Sequence, residues 1–218
     1  MRLHLVRHGQ TPSNLVAALD TAAPGAPLTP DGEAQARAVG RALATEPLEA
    51  VYASTLDRAQ ATAAEVARPH GLDVQVRDGL REVLAGDLEM RTDPEAVHRY
   101  LSTVVAWASG DLDATMPGGE SGRDTLDRFD AVVAELLATG AGTVAAVSHG
   151  AMIRLWAMTR AANLDAATAG RWSLDNTGVV TLESGGPTGW YATRWQGEVV
   201  PHGAPAGGDG PGGEPLPV

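Results

Sequence analysis

Two basic residues stand together near the start of the chain, at the point where a short apolar run ends. Residues 3–6 are predicted to form a buried parallel strand, and Arg7, His8 and Gly9 follow it directly. Ligands of open α/β sheets bind outside the carboxyl ends of the strands, and an arginine beside a histidine suits an anion there. Glycine, which has no Cβ, lets the backbone approach such a ligand closely. The alternative interpretation is a surface turn that carries two basic side chains.

Two further basic residues occupy comparable positions later in the chain. Arg58 is expected in the first turn of a helix that follows a second strand over 50–54, and His149 directly follows a strongly apolar strand. The carboxyl ends of parallel strands meet at one edge of a sheet, so these residues should converge with Arg7 and His8. Helix amino termini and arginine forks both bind phosphate oxygens. The spacing therefore predicts a phosphate pocket.

The elements that must position these residues alternate between strand and helix. Helices are predicted to begin near Thr29, Leu56, Asp93 and Ser121, where capping residues or Pro precede apolar positions at helical spacing. Ser54 with Asp57, and Ser121 with Asp124, are predicted to form capping boxes. Short strands are expected at 74–76 and 179–182, the latter with an antiparallel partner over 190–195. This alternation predicts an α/β fold, a three-layer α/β/α sandwich around a mostly parallel sheet.

Composition narrows the class of protein. The 218 residues carry a formal net charge of −11, which disfavours nucleic acid and anionic membrane surfaces as partners. There is no cysteine, so disulfides and thiolate metal sites are excluded. All 16 basic side chains are arginine, so phosphate binding would rest on Arg, His or backbone amides. We expect a cytoplasmic protein with one catalytic domain over 1–200 and a disordered, Pro- and Gly-rich tail over 201–218.

Six short motifs follow one another along the chain. They are Arg7-His8-Gly9-Gln10-Thr11 with Asn14, residues 28–32 with Gln35-Ala36, residues 54–59 with Thr62-Ala63, Arg81-Glu82 with residues 86–89, Gly118-Gly119-Glu120-Ser121, and Val147-Ser148-His149-Gly150. In this order they resemble the motifs of the histidine phosphatase superfamily, in the branch that includes the cofactor-dependent phosphoglycerate mutases. A lone Arg-His-Gly is a weak signal, whereas six ordered motifs that extend to about Gly178 are specific.

The resemblance implies a phosphoglycerate mutase-like fold and a role for each matching residue. His8 would be the nucleophile that takes the phosphoryl group onto a ring nitrogen, and Glu82 would protonate the leaving alkoxide, with Glu89 as its nearest rival. No metal or other cofactor is expected, because arginines would neutralise the phosphoryl charge. The remaining expected site residues are Arg7, Arg58 and His149 as ligands of the phosphoryl oxygens, Asn14 with a further hydrogen bond, and Gln10, Thr11 and Gly150 beside the phosphate.

Departures from the family pattern bear on the reaction. Asp87-Leu88 stands where an aromatic residue often follows the glycine of the acid loop, residues 17–27 are small and apolar, and no long inserted segment is present. These features favour a phosphomonoester phosphatase acting on a small phosphorylated metabolite chosen by residues 15–27 and 85–117. A phosphoglycerate mutase and a weakly catalytic, phosphoryl-binding regulatory protein are the alternatives. A homodimer is left open, and His4 is interpreted as a packed core histidine.

Overall fold

The computed structural model describes residues 1–164, 173–185 and 189–201. Within these residues the chain forms one sheet of seven strands. The strands are β1 (Arg2–Arg7), β2 (Ala50–Ala53), β3 (Val74–Val76), β4 (Thr143–Ser148), β5 (Val179–Ser184), β6 (Trp190–Trp195) and β7 (Glu198–Val199).

Helices connect the strands of the first part of the sheet. Thr29 and Asp93 cap the helices that follow them, and each is followed by proline at the first helical position. Ser121 and Asp124 form the predicted capping box. The helices in the described residues are α1 (Pro12–Leu15), α2 (Pro30–Ala42), α3 (Asp57–Ala67), α4 (Pro94–Ala108), α5 (Gly122–Ala138) and α6 (Gly150–Arg160).

The sheet has the order β3-β2-β4-β1-β5-β6-β7. Strands β1 to β4 pair in parallel, with His4 of β1 opposite Ala145 of β4. Strand β5 joins β1 in the antiparallel direction and leads to β6, which is the partner that the sequence predicts. The ends of β1, β2 and β4, which precede the candidate site residues, therefore lie side by side at one edge.

Two separate cores fill the space between the sheet and its helices. In β1, Leu3 and Leu5 face the larger core under α4, α5 and α6, whereas Val6 faces the smaller core under α2 and α3. This alternation follows from the two-residue period of a strand. The predicted α/β fold with layers of helices on both faces of a mostly parallel sheet is confirmed.

The predicted cap at the start of α3 is wrong, and the predicted end of the domain stays a prediction. The capping box predicted for Ser54 and Asp57 is wrong: α3 has Leu56 at its N-cap position without a side-chain cap, because the Ser54 hydroxyl is engaged with His149. The predicted tail over 201–218 lies outside the described residues from 202 onward, and the domain boundary stays a prediction. In the described part of the chain, no helix is long and apolar enough to cross a membrane.

Candidate active site

His8 is held with one ring nitrogen ready to react. Its Nδ1 lies 2.7 Å from the carbonyl oxygen of Gly9, which can only accept a hydrogen bond. The proton is therefore assigned to Nδ1, and Nε2 keeps its lone pair. Arg58 donates to that lone pair from its Nε at 3.1 Å. The His8 side chain thus points a neutral nitrogen at the guanidinium of Arg58.

The surroundings of His8 keep the ring neutral. Burial lowers the pKa of His8 well below its ordinary value of 6.5, and the charges of Arg58 and Arg7 lower it further. The residue is 3% exposed. A neutral imidazole is nucleophilic near pH 7 without the help of a base.

His149 presents a hydrogen-bond donor to the same space. Its ring centroid lies 5.1 Å from that of His8, and its Nε2 is 2.6 Å from the Ser54 hydroxyl. The Ser54 oxygen also accepts from the Leu56 N–H, and we assign its own hydroxyl proton to the bond with Nε2. The proton of neutral His149 then sits on Nδ1, which has no partner among the described residues. Burial first, and then the neighbouring His8, lower the pKa of His149 well below 6.5.

The two arginines are anchored by backbone carbonyls but leave donors free. Arg7 donates from Nη1 to the Leu174 carbonyl at 2.6 Å, and Arg58 donates from Nη2 to the Asp20 carbonyl at 2.6 Å. Within residues that the structure describes, Arg7 Nε and Arg58 Nη1 have no hydrogen-bond partner. Burial lowers the pKa of both side chains from the ordinary arginine value, although arginine stays protonated in proteins. A Cβ on Gly150 would lie 3.2 Å from Arg7 Nε, so this glycine leaves room for the guanidinium.

Hydrogen-bond partners orient the side-chain amide of Asn14, as they orient the rings of His8 and His149. Its Oδ1 accepts hydrogen bonds from the Thr11 N–H at 3.0 Å and from Asn176 Nδ2 at 3.1 Å. Because a backbone N–H can only donate, the oxygen assignment is secure, and the amide NH₂ of Asn14 faces away from both contacts. Thr11 also caps α1 with its hydroxyl. The Gln10 side chain accepts from the Thr29 hydroxyl at 3.0 Å, next to the start of α2.

Glu82 lies at the amino terminus of α6, beside the histidine and arginine cluster. Its carboxylate accepts from the Met152 N–H at 2.8 Å and from the Ala151 N–H at 3.2 Å. It also interacts electrostatically with Arg7 and Arg58. The rival Glu89 has other partners. Its carboxylate accepts from the backbone N–H groups of Thr21 and Ala22 and from the Thr21 hydroxyl.

Sequence reasoning missed Asp20, which lies in the segment interpreted as small and apolar. Its buried carboxylate accepts from the Ser13 hydroxyl and the Ala26 N–H, and lies 3.5 Å from Arg58 Nη1. Together with Glu89, it folds residues 18–26 over Arg58, which is 3% exposed. Ser54 and Asn176 were also missed as partners of the site. No periodic pattern marks such loop residues. The one usable signal would have been an acidic residue able to reach Arg58.

The carboxyl ends of β1, β2 and β4 in this α/β fold thus bring a neutral histidine and two arginines to one small space, an arrangement suited to a phosphoryl group. The family model described as histidine phosphatase superfamily (branch 1) matches residues 3–197. The chain belongs to this superfamily.

The chain is similar to a PE-PGRS family protein, to a probable phosphoglycerate mutase and to a phosphatase of known structure. The chain is 31% identical over 215 residues to PE-PGRS family protein PE_PGRS11 of Mycobacterium tuberculosis, a match that covers 91% of this chain but only 37% of that protein. It is 32% identical over 151 residues to a probable phosphoglycerate mutase GpmB of Salmonella choleraesuis, covering 69% of this chain and 70% of the relative. The solved structure of a mycobacterial glucosyl-3-phosphoglycerate phosphatase complexed with VO3 is 28% identical. It has a TM-score of 0.76 and covers 90% of this chain and 99% of that chain.

Proposed function

We propose that the protein is a phosphomonoester phosphatase that acts on a small phosphorylated metabolite through a phosphohistidine intermediate. The observation that carries this proposal is the geometry of His8, whose Nδ1 donates to Gly9 while Nε2 keeps a lone pair beside Arg58. The similarity to a phosphatase of a phosphorylated sugar derivative supports the substrate class.

In the first step, the phosphoryl oxygens bind the free N–H groups of the arginines, and Arg58 turns from Nε2 of His8 to the ligand. Nε2 then attacks phosphorus, a bond forms between them, and the bond from phosphorus to the alcohol oxygen breaks. Protonated Glu82 gives its proton to the departing oxygen, so that an alcohol leaves. Arg7, Arg58 and the His149 Nδ1–H stabilise the charge on the transferring group, with the Asn14 amide as a further donor.

In the second step, water replaces the alcohol. The Glu82 carboxylate, now ionised, takes a proton from the water molecule, whose oxygen attacks phosphorus while the bond to Nε2 breaks. Inorganic phosphate leaves, and His8 and Glu82 return to their starting protonation states. The balance of atoms requires no redox partner, and no metal is invoked. Among the described residues, no group of three or more His, Asp or Glu side chains is placed to hold a metal ion.

A mutase is the second candidate, because the chain is similar to a probable phosphoglycerate mutase. A mutase has to keep the phosphoenzyme away from water until the second transfer. Its sugar-acid substrate also carries a carboxylate that needs a cation. Near the site, Arg91 is paired with Asp93, and Arg81 is paired with Asp78 and Glu120. What favours the phosphatase is the departure of residues 17–27 and 87–88 from the family pattern and the lack of a long inserted segment in the sequence.

The test is a panel of phosphorylated metabolites in which released phosphate and isomerised product are measured in the same reactions. We expect phosphate release to dominate for at least one compound. The variant His8→Ala should lose nearly all turnover and fail to form an acid-labile phosphoenzyme, while its circular dichroism spectrum stays that of the wild type. His98→Ala is the control, since His98 is exposed on α4. Turnover by His8→Ala above a few per cent would exclude His8 as the nucleophile, and substrate binding without turnover in the wild type would favour the regulatory alternative.

The remaining expectations about partners stay predictions of the sequence. They are a cytoplasmic location, the absence of nucleic acid and membrane partners, and the homodimer that the sequence leaves open. The net charge of −11 supports the exclusion of nucleic acid, because like charges repel.

A further inference from the structure

The segment that carries Glu82 is held from outside by side chains of three other elements. Five consecutive backbone carbonyls, those of residues 79–83, each accept a hydrogen bond from a side chain. The donors lie on α4, α5 and β4, and the segment itself contributes none of them. The bonds run from Arg128 to Gly79, Arg81 and Glu82 at 2.9, 2.9 and 2.8 Å, from Ser148 to Leu80 at 2.7 Å, and from Tyr100 to Val83 at 2.9 Å.

Arg128 makes three of these five bonds with one planar group. Its Nη1 donates to two carbonyls and its Nη2 donates to the carbonyl of Glu82 itself. The rigid fork of a guanidinium fixes the relative positions of its acceptors, which a lysine ammonium does not. The side chain is 12% exposed, so water competes little for these bonds.

Glu120 holds Arg128 in place. Its two carboxylate oxygens each lie 3.2 Å from Arg128 Nε, and the carboxylate also accepts from Arg81. The motif Gly118-Gly119-Glu120-Ser121, which could otherwise be only a helix cap and an adjacent acid, thus reaches the loop of Glu82 through this arginine. The loop is also in direct backbone contact with α5. This contact is so close that a Cβ on Gly79 would collide with the Arg128 carbonyl.

We propose that Arg128, supported by Glu120, is the positioning residue for Glu82. By fixing the backbone at Glu82, it keeps the carboxyl group beside the first turn of α6, where Ala151 and Met152 donate to it. This inference rests on the proposed function, in which Glu82 protonates the leaving group. A displacement of about 1 Å in a reacting group can lower a rate about 100-fold.

The experiment compares two substrates in the first step, followed as phosphoenzyme by rapid quench. Glycerol phosphate needs protonation of a poor leaving group, whereas the nitrophenolate of p-nitrophenyl phosphate leaves without it. Arg128→Met should slow the first step about 10–100-fold for glycerol phosphate and only a few-fold for p-nitrophenyl phosphate. Arg123→Met is the matched control, because Arg123 lies on the same helix in an exposed pair with Asp113 and should leave both rates unchanged.

A double-mutant comparison separates positioning from general damage. If Arg128 acts through Glu82, then Arg128→Met should add little to the loss that Glu82→Gln causes with glycerol phosphate. Equal losses for both substrates, or full additivity, would overturn the positioning role while Glu82 remains the acid. If Glu82→Gln itself shows no preference between the substrates, the proposed role of Glu82 fails instead, and the Arg128 proposal falls with it. Should Arg128→Met fail to fold, Arg128→Lys, which keeps the charge but loses the fork, decides by the same ratio of rates.

Discussion

At the scale of single residues, backbone groups decide which atoms of the site can react. The Gly9 carbonyl places the proton of His8 on Nδ1, and the Thr11 N–H turns the Asn14 oxygen toward itself. Both backbone partners can play only one part in a hydrogen bond, so they fix the tautomer and the amide orientation. These backbone contacts leave two groups unused: the lone pair of His8 Nε2, which accepts from Arg58 Nε, and the NH₂ group of Asn14.

The two acids that the sequence leaves in competition, Glu82 and Glu89, have different hydrogen-bond partners in the structure. Glu82→Gln should slow phosphoenzyme formation from an alkyl phosphate by about 10²–10⁴-fold, the usual contribution of a general acid. Glu89→Gln should leave the ratio of alkyl to aryl rates unchanged, because the Glu89 carboxylate holds Thr21 and Ala22. Rapid-quench rates for glycerol phosphate and p-nitrophenyl phosphate give this ratio. A selective loss in Glu89→Gln and not in Glu82→Gln would exchange the two roles.

At the scale of elements, the loop after β1 and the start of α2 meet with their backbones in contact. The Gln10 N–H donates to Gln35 of α2, and the Gln10 carbonyl accepts from the Thr29 N–H. Gly9 and Gly32 allow this approach, since a Cβ on either would collide with the backbone of the other segment. Helix α2 therefore supports the loop that follows His8.

Gly32→Ala tests this support. The added Cβ would collide with the Gln10 carbonyl oxygen, so the loop or the helix has to move. We expect a loss of about 1–3 kcal/mol in the free energy of unfolding, measured by urea denaturation, and a lower kcat. Gly185→Ala is the control, because no atom of the described residues, apart from its chain neighbours, lies within 4 Å of its Cβ position. Wild-type stability and kcat in Gly32→Ala would show that the contact adapts without cost.

The contrast between local and distant contacts explains what the sequence could predict. Capping at Thr29 and Ser121 and the strand over 74–76 depend on neighbouring residues, so they are visible in the sequence. The position of β5 beside β1 joins residues far apart in the chain, and only the packed sheet shows it. The convergence of His8, Arg58 and His149 could be predicted, because each residue follows the end of a strand. The partners Asp20, Ser54 and Arg128 could not be predicted, because distant segments bring them to their contacts.

At the scale of the whole molecule, folding buries three histidines in neutral form. Burial lowers the pKa of His4, His8 and His149 below 6.5. Above that value both the folded and the unfolded chain leave these rings neutral, and they cost no stability. As the pH falls below about 6.5, the unfolded chain takes up protons that the folded chain does not, so the unfolded state is favoured.

We therefore expect stability to fall between pH 7 and pH 5. Each buried histidine contributes up to about 1.4 kcal/mol per pH unit in this range. Urea denaturation at pH 7.5, 6.5 and 5.5 measures the slope. His4→Asn, at a position outside the candidate active site, should reduce the slope, whereas His98→Asn on the exposed face of α4 should not. A free energy of unfolding that stays constant over this range would contradict neutral burial.

Side chains of other elements donate hydrogen bonds to the five carbonyls of residues 79–83, and this has a consequence for sequence divergence in proteins of this kind. The anchors belong to α4, α5 and β4, so the path of the segment is specified by residues that lie outside it. The neighbouring side chain of Leu84, which makes none of these five bonds, can therefore be exchanged without moving Glu82. A protein built in this way can acquire a new substrate preference by mutations in the acid-bearing segment while its chemistry stays intact.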